Sequence, residues 1–225
     1  MHAELVYESA LAENAMRHTS AHLEIVRDFR GPGDYHVEPQ RSETGEGRAD
    51  LVVLSNRVNL TAPIRQGMID TYLQPQHSHV LWIDADVTRY DPNLPGRLLR
   101  ASKDLGDAIV APKVLLDVTG PDRFYDLAGF VQEGRWAHIR EPYFDYPAGE
   151  RYVHLDGVGC VYLIPADVYR MGAKHINIPG YTDHLAICRF AKGLGLDVVC
   201  DLEQEVYHAD LQRYREGENA EESGA

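Results

Sequence analysis

Short apolar runs alternate with amphipathic stretches over the first half of the chain. Leu5-Val6-Tyr7 predicts a short strand. Between Ser9 and Arg30, residues Leu11, Ala15, His18, His22, Ile25, Val26 and Phe29 recur at spacings of three and four, which predicts a helix. Gly31-Pro32-Gly33-Asp34 stops it, and Tyr35 to Glu38 reads as a second strand. Arg41 to Arg48 is polar and glycine-containing, the composition of a loop. Leu51-Val52-Val53-Leu54 reads as a buried strand, followed by a helix capped by Asn59 or Thr61 and running to about Leu73. Val80-Leu81-Trp82-Ile83 is the next apolar run, and it leads directly into Asp84-Ala85-Asp86. Pro92 to Leu105 predicts a helix with proline near its start. Ala108-Ile109-Val110-Ala111 predicts a strand closed by Pro112.

Strand and helix thus alternate to residue 112, the pattern of an α/β protein with a Rossmann-like, mostly parallel central sheet. The second half reads differently. Residues 113–155 mix Gly, Pro and the aromatics Tyr125, Phe130, Trp136, Tyr143, Phe144, Tyr146 and Tyr152, which predicts hairpins in an antiparallel subsheet. Val158 to Ile164 reads as a strand, Asp167 to Gly172 as a short helix, and Thr182 to Leu194 as a helix closed by Gly195. Asp197-Val198-Val199-Cys200 is the last apolar strand, with Val206-Tyr207-His208 after it. Residues 1–211 are expected to form one domain and 212–225 a disordered polar tail.

Composition narrows the class. The 225 residues are 44% hydrophobic and 25% charged, enough for one full core. Thirty-five acidic against 22 basic residues give a net charge of −13, which disfavours bare nucleic acid and anionic membrane as partners. Cys160, Cys188 and Cys200 have no CxxC spacing and read as reduced, buried thiols. No apolar run approaches the ~20 residues that span a bilayer, and the N-terminus has neither a basic n-region nor a long apolar core. A cytoplasmic protein is expected.

The candidate chemistry starts at Asp84 and Asp86. They stand where an apolar strand reaches the surface, and alternate strand residues share a side, so both carboxylates can face one ion while Ala85 points away. Ligands of open α/β sheets bind beyond the carboxyl ends of strands. Two hard oxygen donors there suit a divalent cation that bridges to phosphates. His208, after the last apolar strand, could complete a Mn²⁺-type site. In Leu155-Asp156-Gly157-Val158-Gly159-Cys160, the glycines let backbone approach a ligand, placing Asp156 and the Gly157 backbone near a sugar or, equally, forming a tight turn. Asp183, at a helix start, could orient an acceptor hydroxyl or simply cap the helix. Arg57 and Arg65 precede the Asp84 strand and could reach a phosphate or a ribose. The chain carries no Walker loop, no Gly-x-Gly-x-x-Gly, no Gly-x-Ser-x-Gly and no His-Glu-x-x-His, which sets aside the common kinases, dehydrogenases and hydrolases.

In this order, the Arg57 segment, Asp84-Ala85-Asp86, Asp156-Gly157-Val158-Gly159, the Asp183 helix with Ala191-Lys192-x-x-Gly195, and Tyr207-His208 resemble a GT-A fold glycosyltransferase over residues 50–210. More narrowly, Val80-Leu81-Trp82-Ile83-Asp84-Ala85-Asp86, Ala108-Ile109-Val110-Ala111-Pro112 and the C-terminal Tyr-His resemble the Anp1-like family of Golgi mannan polymerase subunits, although their membrane anchor is not expected here. The resemblance implies a GT-A single domain, Mn²⁺ (or Mg²⁺) and a GDP- or UDP-sugar donor such as GDP-mannose. It also implies transfer to an acceptor hydroxyl with retention. Asp84 and Asp86 would hold metal and diphosphate, His208 would be the later metal ligand, and Asp183 would sit near the reacting centre. A glycan, a protein, a small molecule or a modified nucleobase could be the acceptor. Two rivals stand beside this reading. A nucleotidyltransferase should carry a Gly-rich basic loop after its first strand, where this chain has Glu8-Ser9-Ala10-Leu11-Ala12. A non-catalytic GT-A-like binding subunit has no need of intact Asp84, Asp86 and His208.

Overall fold

The computed structural model describes residues 2–9, 35–39, 51–118, 121–127, 129–176 and 182–209, with side chains from residue 61 onward. In chain order the elements are β1 (His2–Ser9), β2 (Tyr35–Pro39), α1 (Leu51–Tyr72), β3 (His77–Asp84), β4 (Val87–Tyr90), α2 (Leu94–Asp104), β5 (Ile109–Asp117), β6 (Val131–Gln132), β7 (Arg135–Trp136), β8 (Tyr152–His154), β9 (Val161–Pro165), α3 (Ala166–Arg170), α4 (His184–Gly193) and β10 (Val198–Ala209). Most of the expected helix between Ser9 and Arg30, the 41–48 loop and the C-terminal tail lie outside the described residues. No described helix is long and apolar enough to cross a membrane.

One large sheet runs β2-β1-β3-β9-β5-β10-β4, with β8 joined to β10. Three of its pairings are parallel (β1 with β2, β1 with β3, β5 with β10). Four are antiparallel (β10 with β4, β10 with β8, β3 with β9, β5 with β9). The sheet is therefore mixed, not mostly parallel as the alternation predicted. The cause is β9, which follows the hairpin region and inserts in the reverse direction between β3 and β5. Its five residues are all buried, so it carries no polar alternation that would mark its direction.

Two further expectations are corrected. Leu51–Leu54 is the first turn of the 22-residue helix α1, not a strand; a four-residue apolar run is compatible with either, and only the length of the element decides. Pro112 does not end β5, which continues to Asp117. Opposite Pro112 the register of β10 jumps from Asp201 to Glu205, so the bulge falls where proline offers no N–H to the ladder. Arg151 ties the bulge down with two bonds to the Asp201 carboxylate, 3.0 and 2.8 Å long.

Alternation along β3 sets up both faces of the sheet. Leu81, Ile83 and His79 face α2, whose buried stripe is Leu94, Leu98 and Ala101. Val80, Trp82 and Asp84 face the opposite layer of α1, α3 and α4. Trp82, 1% exposed, donates its indole N–H to the Tyr169 hydroxyl at 2.8 Å. The aromatic stretch from 124 to 144 is mainly packing: Phe124, Phe130, Tyr143 and Phe144 are buried against one another. Tyr125 is the exception and reaches the site described below. All three cysteines are buried and none forms a disulfide.

Several histidines are buried in their neutral form. Burial, and then the charge of Lys103, lowers the His79 pKa to about 4. His184 is lowered to about 3 by burial and then by Arg65, and His175 is lowered chiefly by burial. Below the unfolded-state value near 6.5, the unfolded chain binds protons that the folded chain refuses, so stability rises with pH across this window. The thermal midpoint should drop steadily as pH is taken from 7 to 4.5. Replacing His79 by Gln, which keeps a donor toward the Ser102 hydroxyl 3.3 Å away, should flatten part of that slope. A midpoint independent of pH over this range would contradict the neutral assignment.

Candidate metal centre and active site

The site forms at the carboxyl end of β3. β9 and β5 share one register pair, Val110 with Leu163. β3 finishes there at Asp84, and Ala85-Asp86 turns into β4 on the far edge, beside β10. The turn is pinned at both ends. Asp84 N–H donates to the Cys160 carbonyl at 3.0 Å, and Ala209 N–H donates to the Asp86 carbonyl at 2.9 Å. The Asp-x-Asp segment thus bridges β3 and β10, which brings Asp84, Asp86 and His208 together as expected.

His208 is fully buried. Tyr125 stacks flat on its ring, with centroids 3.4 Å apart and planes inclined at 14°. The His208 Nδ1–H donates to the Ala209 carbonyl at 2.9 Å, which turns Nε2 toward the acids. That Nε2 makes no hydrogen bond. It lies 2.6 Å from Asp86 Oδ1, so the pair satisfies the distance of an ion pair while lacking the alignment of a hydrogen bond. A buried imidazole nitrogen and a carboxylate oxygen facing each other this way are placed like two ligands of one cation. Ligand atoms of Asp84, His208 and Cys160 also lie within 4.8 Å of one another. Carboxylate oxygen and imidazole nitrogen fit a divalent transition-metal ion, and Asp84, Asp86 and His208 are the residues that would hold it.

A buried ionic network fixes Asp84 from below. Arg65, 4% exposed, donates from Nη2 to Asp84 Oδ1 at 3.1 Å and from Nη1 to Asp183 Oδ1 at 2.8 Å. The other oxygen of Asp183 accepts Nδ1–H of His175 at 2.8 Å. His175 Nε2 accepts the Tyr169 hydroxyl at 3.1 Å, and Tyr169 in turn accepts the Trp82 indole N–H. From Trp82 through Tyr169 and His175 to Asp183 each donor meets an acceptor, which fixes the His175 tautomer. Arg65 Nη1 also lies 2.9 Å from His184 Nε2, and the Tyr162 hydroxyl lies 2.6 Å from His184 Nδ1.

The electrostatics follow from these contacts. Burial raises the Asp84 pKa to about 6; Arg65 and His208 oppose the rise, while Asp86 and Asp126 add to it. Burial alone would raise Asp183 as well, but Arg65, then His184 and His175, hold it well below the usual carboxylate range. Asp183 is thus a permanent anion, 1% exposed and bonded on both oxygens.

The sequence-predicted residues whose side chains are described divide three ways. Asp84, Asp86 and His208 converge. Arg65 and Asp183 join them as an inward-facing support: Arg65 turns to carboxylates and not outward toward a phosphate, and Asp183 is too enclosed to meet an acceptor hydroxyl. Asp156 and Gly157 stand apart. Asp156 accepts from Lys192 Nζ at 2.5 Å and from Gly134 N–H at 3.0 Å. With Val131, Gly134, Arg189 and Lys192 it lines a cavity of about 360 Å³. Gly157 is packed, since a Cβ there would come within 2.9 Å of Leu185 and 3.3 Å of the Gly129 carbonyl. The side chain of Arg57 lies outside the described residues.

Sequence reasoning missed Tyr125, Asp126 and Cys160. Asp126 is close enough to raise the Asp84 pKa, and its carboxylate lies against Gly159, where a Cβ would collide with it. The signal for Asp126 was available in the glycines at 157 and 159, which make room for a neighbour. Tyr125 stood out only as one of the aromatics of 113–155, and Cys160 only as one of three thiols read as buried.

No family model matches the chain, and no curated protein matches it. Solved structures resemble it only distantly. A UDP-glucose pyrophosphorylase complexed with UDP-glucose aligns at 11% identity and TM-score 0.45, covering 99% of this chain and 82% of that one. A glycosyltransferase involved in glycosylation of the major capsid of PBCV-1 aligns at 13% and 0.43, covering 90% and 82%. A CMP:2-keto-3-deoxy-manno-octonic acid synthetase complexed with CTP aligns at 10% and 0.42, covering 100% and 99%. At such identities and scores the activity of this chain must be read from its own site.

Removing one partner of a buried charge pair leaves the other uncompensated and costs about 3–5 kcal/mol. Asp183→Ala should therefore lower the thermal midpoint by roughly 10 °C, while Asp156→Ala, which removes a half-exposed pair with Lys192, should shift it by no more than about 2 °C. Calorimetry of the two variants gives the comparison, and equal shifts would contradict the burial argument.

Proposed function

We propose that this protein is a metal-dependent glycosyltransferase, moving a hexose from a nucleoside diphosphate sugar, GDP-mannose among the candidates, to an acceptor hydroxyl. The observation that carries the reading is the convergence of Asp84, Asp86 and a buried His208, its Nε2 without a hydrogen bond, at the carboxyl end of β3. Bound there, a cation would neutralise charge on the departing diphosphate. The chain's own groups do the rest. Arg65 keeps Asp84 oriented and lowers the cost of its buried charge, and Tyr125 clamps the His208 ring so that Nε2 faces the acids. Asp183 acts through Arg65 as a positioning residue. With Asp183 enclosed, the reading is a same-face transfer in which the leaving phosphate takes the acceptor proton.

The nucleotidyltransferase alternative uses the same acids differently, and product analysis separates the two. Incubated with Mn²⁺ and a panel of UDP-, GDP-, CDP- and ADP-sugars, the protein should release nucleoside diphosphate with one base preferred. Asp86→Ala should lower that release at least 100-fold, because removal of one electrostatic partner of a developing charge costs about 10²–10³ in rate. Release of pyrophosphate from a nucleoside triphosphate in place of diphosphate would select the rival, and full activity in Asp86→Ala would refute the metal assignment.

A further inference from the structure

Cys160 occupies an unusual backbone position for its residue type. Its φ is +59°, a left-handed value rare outside glycine. Val161 N–H donates to the Gly159 carbonyl at 2.7 Å, closing a three-residue γ-turn centred on Cys160. γ-turns with positive central φ are rare and strained, and such strain gathers at functional sites. Glycine would adopt this conformation freely, and glycines stand at 157 and 159, yet the central residue carries a thiol. The turn directs that fully buried side chain into the acidic cluster. Its sulfur lies within 4.8 Å of ligand atoms of both Asp84 and His208. Two atoms bound to one zinc-sized ion at about 2.0–2.3 Å are at most about 4.5 Å apart, so a small side-chain adjustment brings the three onto a common ion. The Cys160 carbonyl, accepting the Asp84 N–H, ties the turn rigidly to the first acid. A second observation points the same way: His208, fully buried, brings into the same space an Nε2 that makes no hydrogen bond and lies 2.6 Å from Asp86 Oδ1, as a ligand atom beside another would.

We propose that Cys160 is a thiolate ligand of this centre, making it a mixed sulfur, nitrogen and oxygen site that selects a thiophilic divalent ion of the Zn²⁺ or Co²⁺ class over Mg²⁺. Binding forms a metal–sulfur bond and releases the thiol proton to solvent, so affinity rises with pH. Thiolate favours softer ions, whereas an all-oxygen site suits Mg²⁺. Cys188 and Cys200 take no part. Both are buried, burial pushes the Cys188 thiol up to about 12 and Cys200 also upward, and neither belongs to the cluster.

This inference rests on the metal reading above, and cobalt spectroscopy on the full chain separates the two. Co²⁺ added to the protein should give visible ligand-field bands, which report a bound ion, and a near-ultraviolet sulfur-to-cobalt charge-transfer band, which reports the thiolate. Cys160→Ser and Cys160→Gly should both lose the charge-transfer band while keeping ligand-field bands. The glycine variant suits the positive φ, so a folding defect cannot account for a shared loss. Zn²⁺ affinity should fall at least about tenfold in both, with Mg²⁺ affinity little changed, and Cys188→Ala should retain the full spectrum. Ligand-field bands that His208→Ala removes, with no charge-transfer band in the unaltered protein, would overturn the role of Cys160 and leave the metal reading intact. Absence of any cobalt spectrum would overturn both.

Discussion

The Arg65 guanidinium is the interaction on which the arrangement depends. It lies in a layer from which water is excluded, and it is shared between Asp84 at the end of β3 and Asp183 at the start of α4. Without it, the buried Asp183 carboxylate and the part-buried Asp84 carboxylate would both lose their shared cation, and a buried charge left uncompensated is among the most destabilising things a fold can contain. With it, Asp84 keeps one oxygen anchored in the interior while its carboxylate still borders the cluster of Asp86, His208 and Cys160. The cation–π approach of Arg65 to the Trp82 ring, 5.6 Å from its centroid, adds to the same constraint. The network reaches from there through His175 and Tyr169 back to Trp82, so the strand that carries the acids and the helices that flank it are one hydrogen-bonded unit.

The sheet supplies the second constraint. Because β9 runs against β3 and β5, the two halves of the sheet need not close along their whole length. β5 and β9 share the single register pair Val110 with Leu163, and the Asp-x-Asp turn runs from the end of β3 into β4 beside β10. Acids delivered by β3 and an imidazole delivered by β10 meet at that turn although 124 residues, 84 to 208, separate them in sequence. The γ-turn at Cys160 opens β9 at the same place, so three separate chain segments end on one small volume.

Much of this was legible in the sequence, for identifiable reasons. The apolar run into Asp84 marked a core strand with acids at its rim, and that reading required only periodicity and charge. The amphipathic spacings gave α2 and α4 to within two residues at each boundary. What escaped were features decided by tertiary context. The direction of β9 is invisible in a run buried on both faces. Leu51–Leu54 is too short to distinguish strand from first helical turn. Arg65 and Asp183 look like surface charges until their burial reveals them as each other's partner, which is why phosphate and acceptor roles were attached to them. Cys160 resembled any core cysteine, because positive φ and a γ-turn leave no compositional trace beyond the neighbouring glycines.

The central claim is that the opening at the end of β3 is built around a divalent ion. Crystals grown with Mn²⁺ and a nucleoside diphosphate, measured at the manganese absorption edge, test it directly. The account predicts one strong anomalous peak within bonding distance of Asp86 Oδ and His208 Nε2, with Arg65 still bridging Asp84 and Asp183. A bound nucleotide with no anomalous density at those atoms, and His208 hydrogen-bonded to Asp86 in the ion's place, would contradict it.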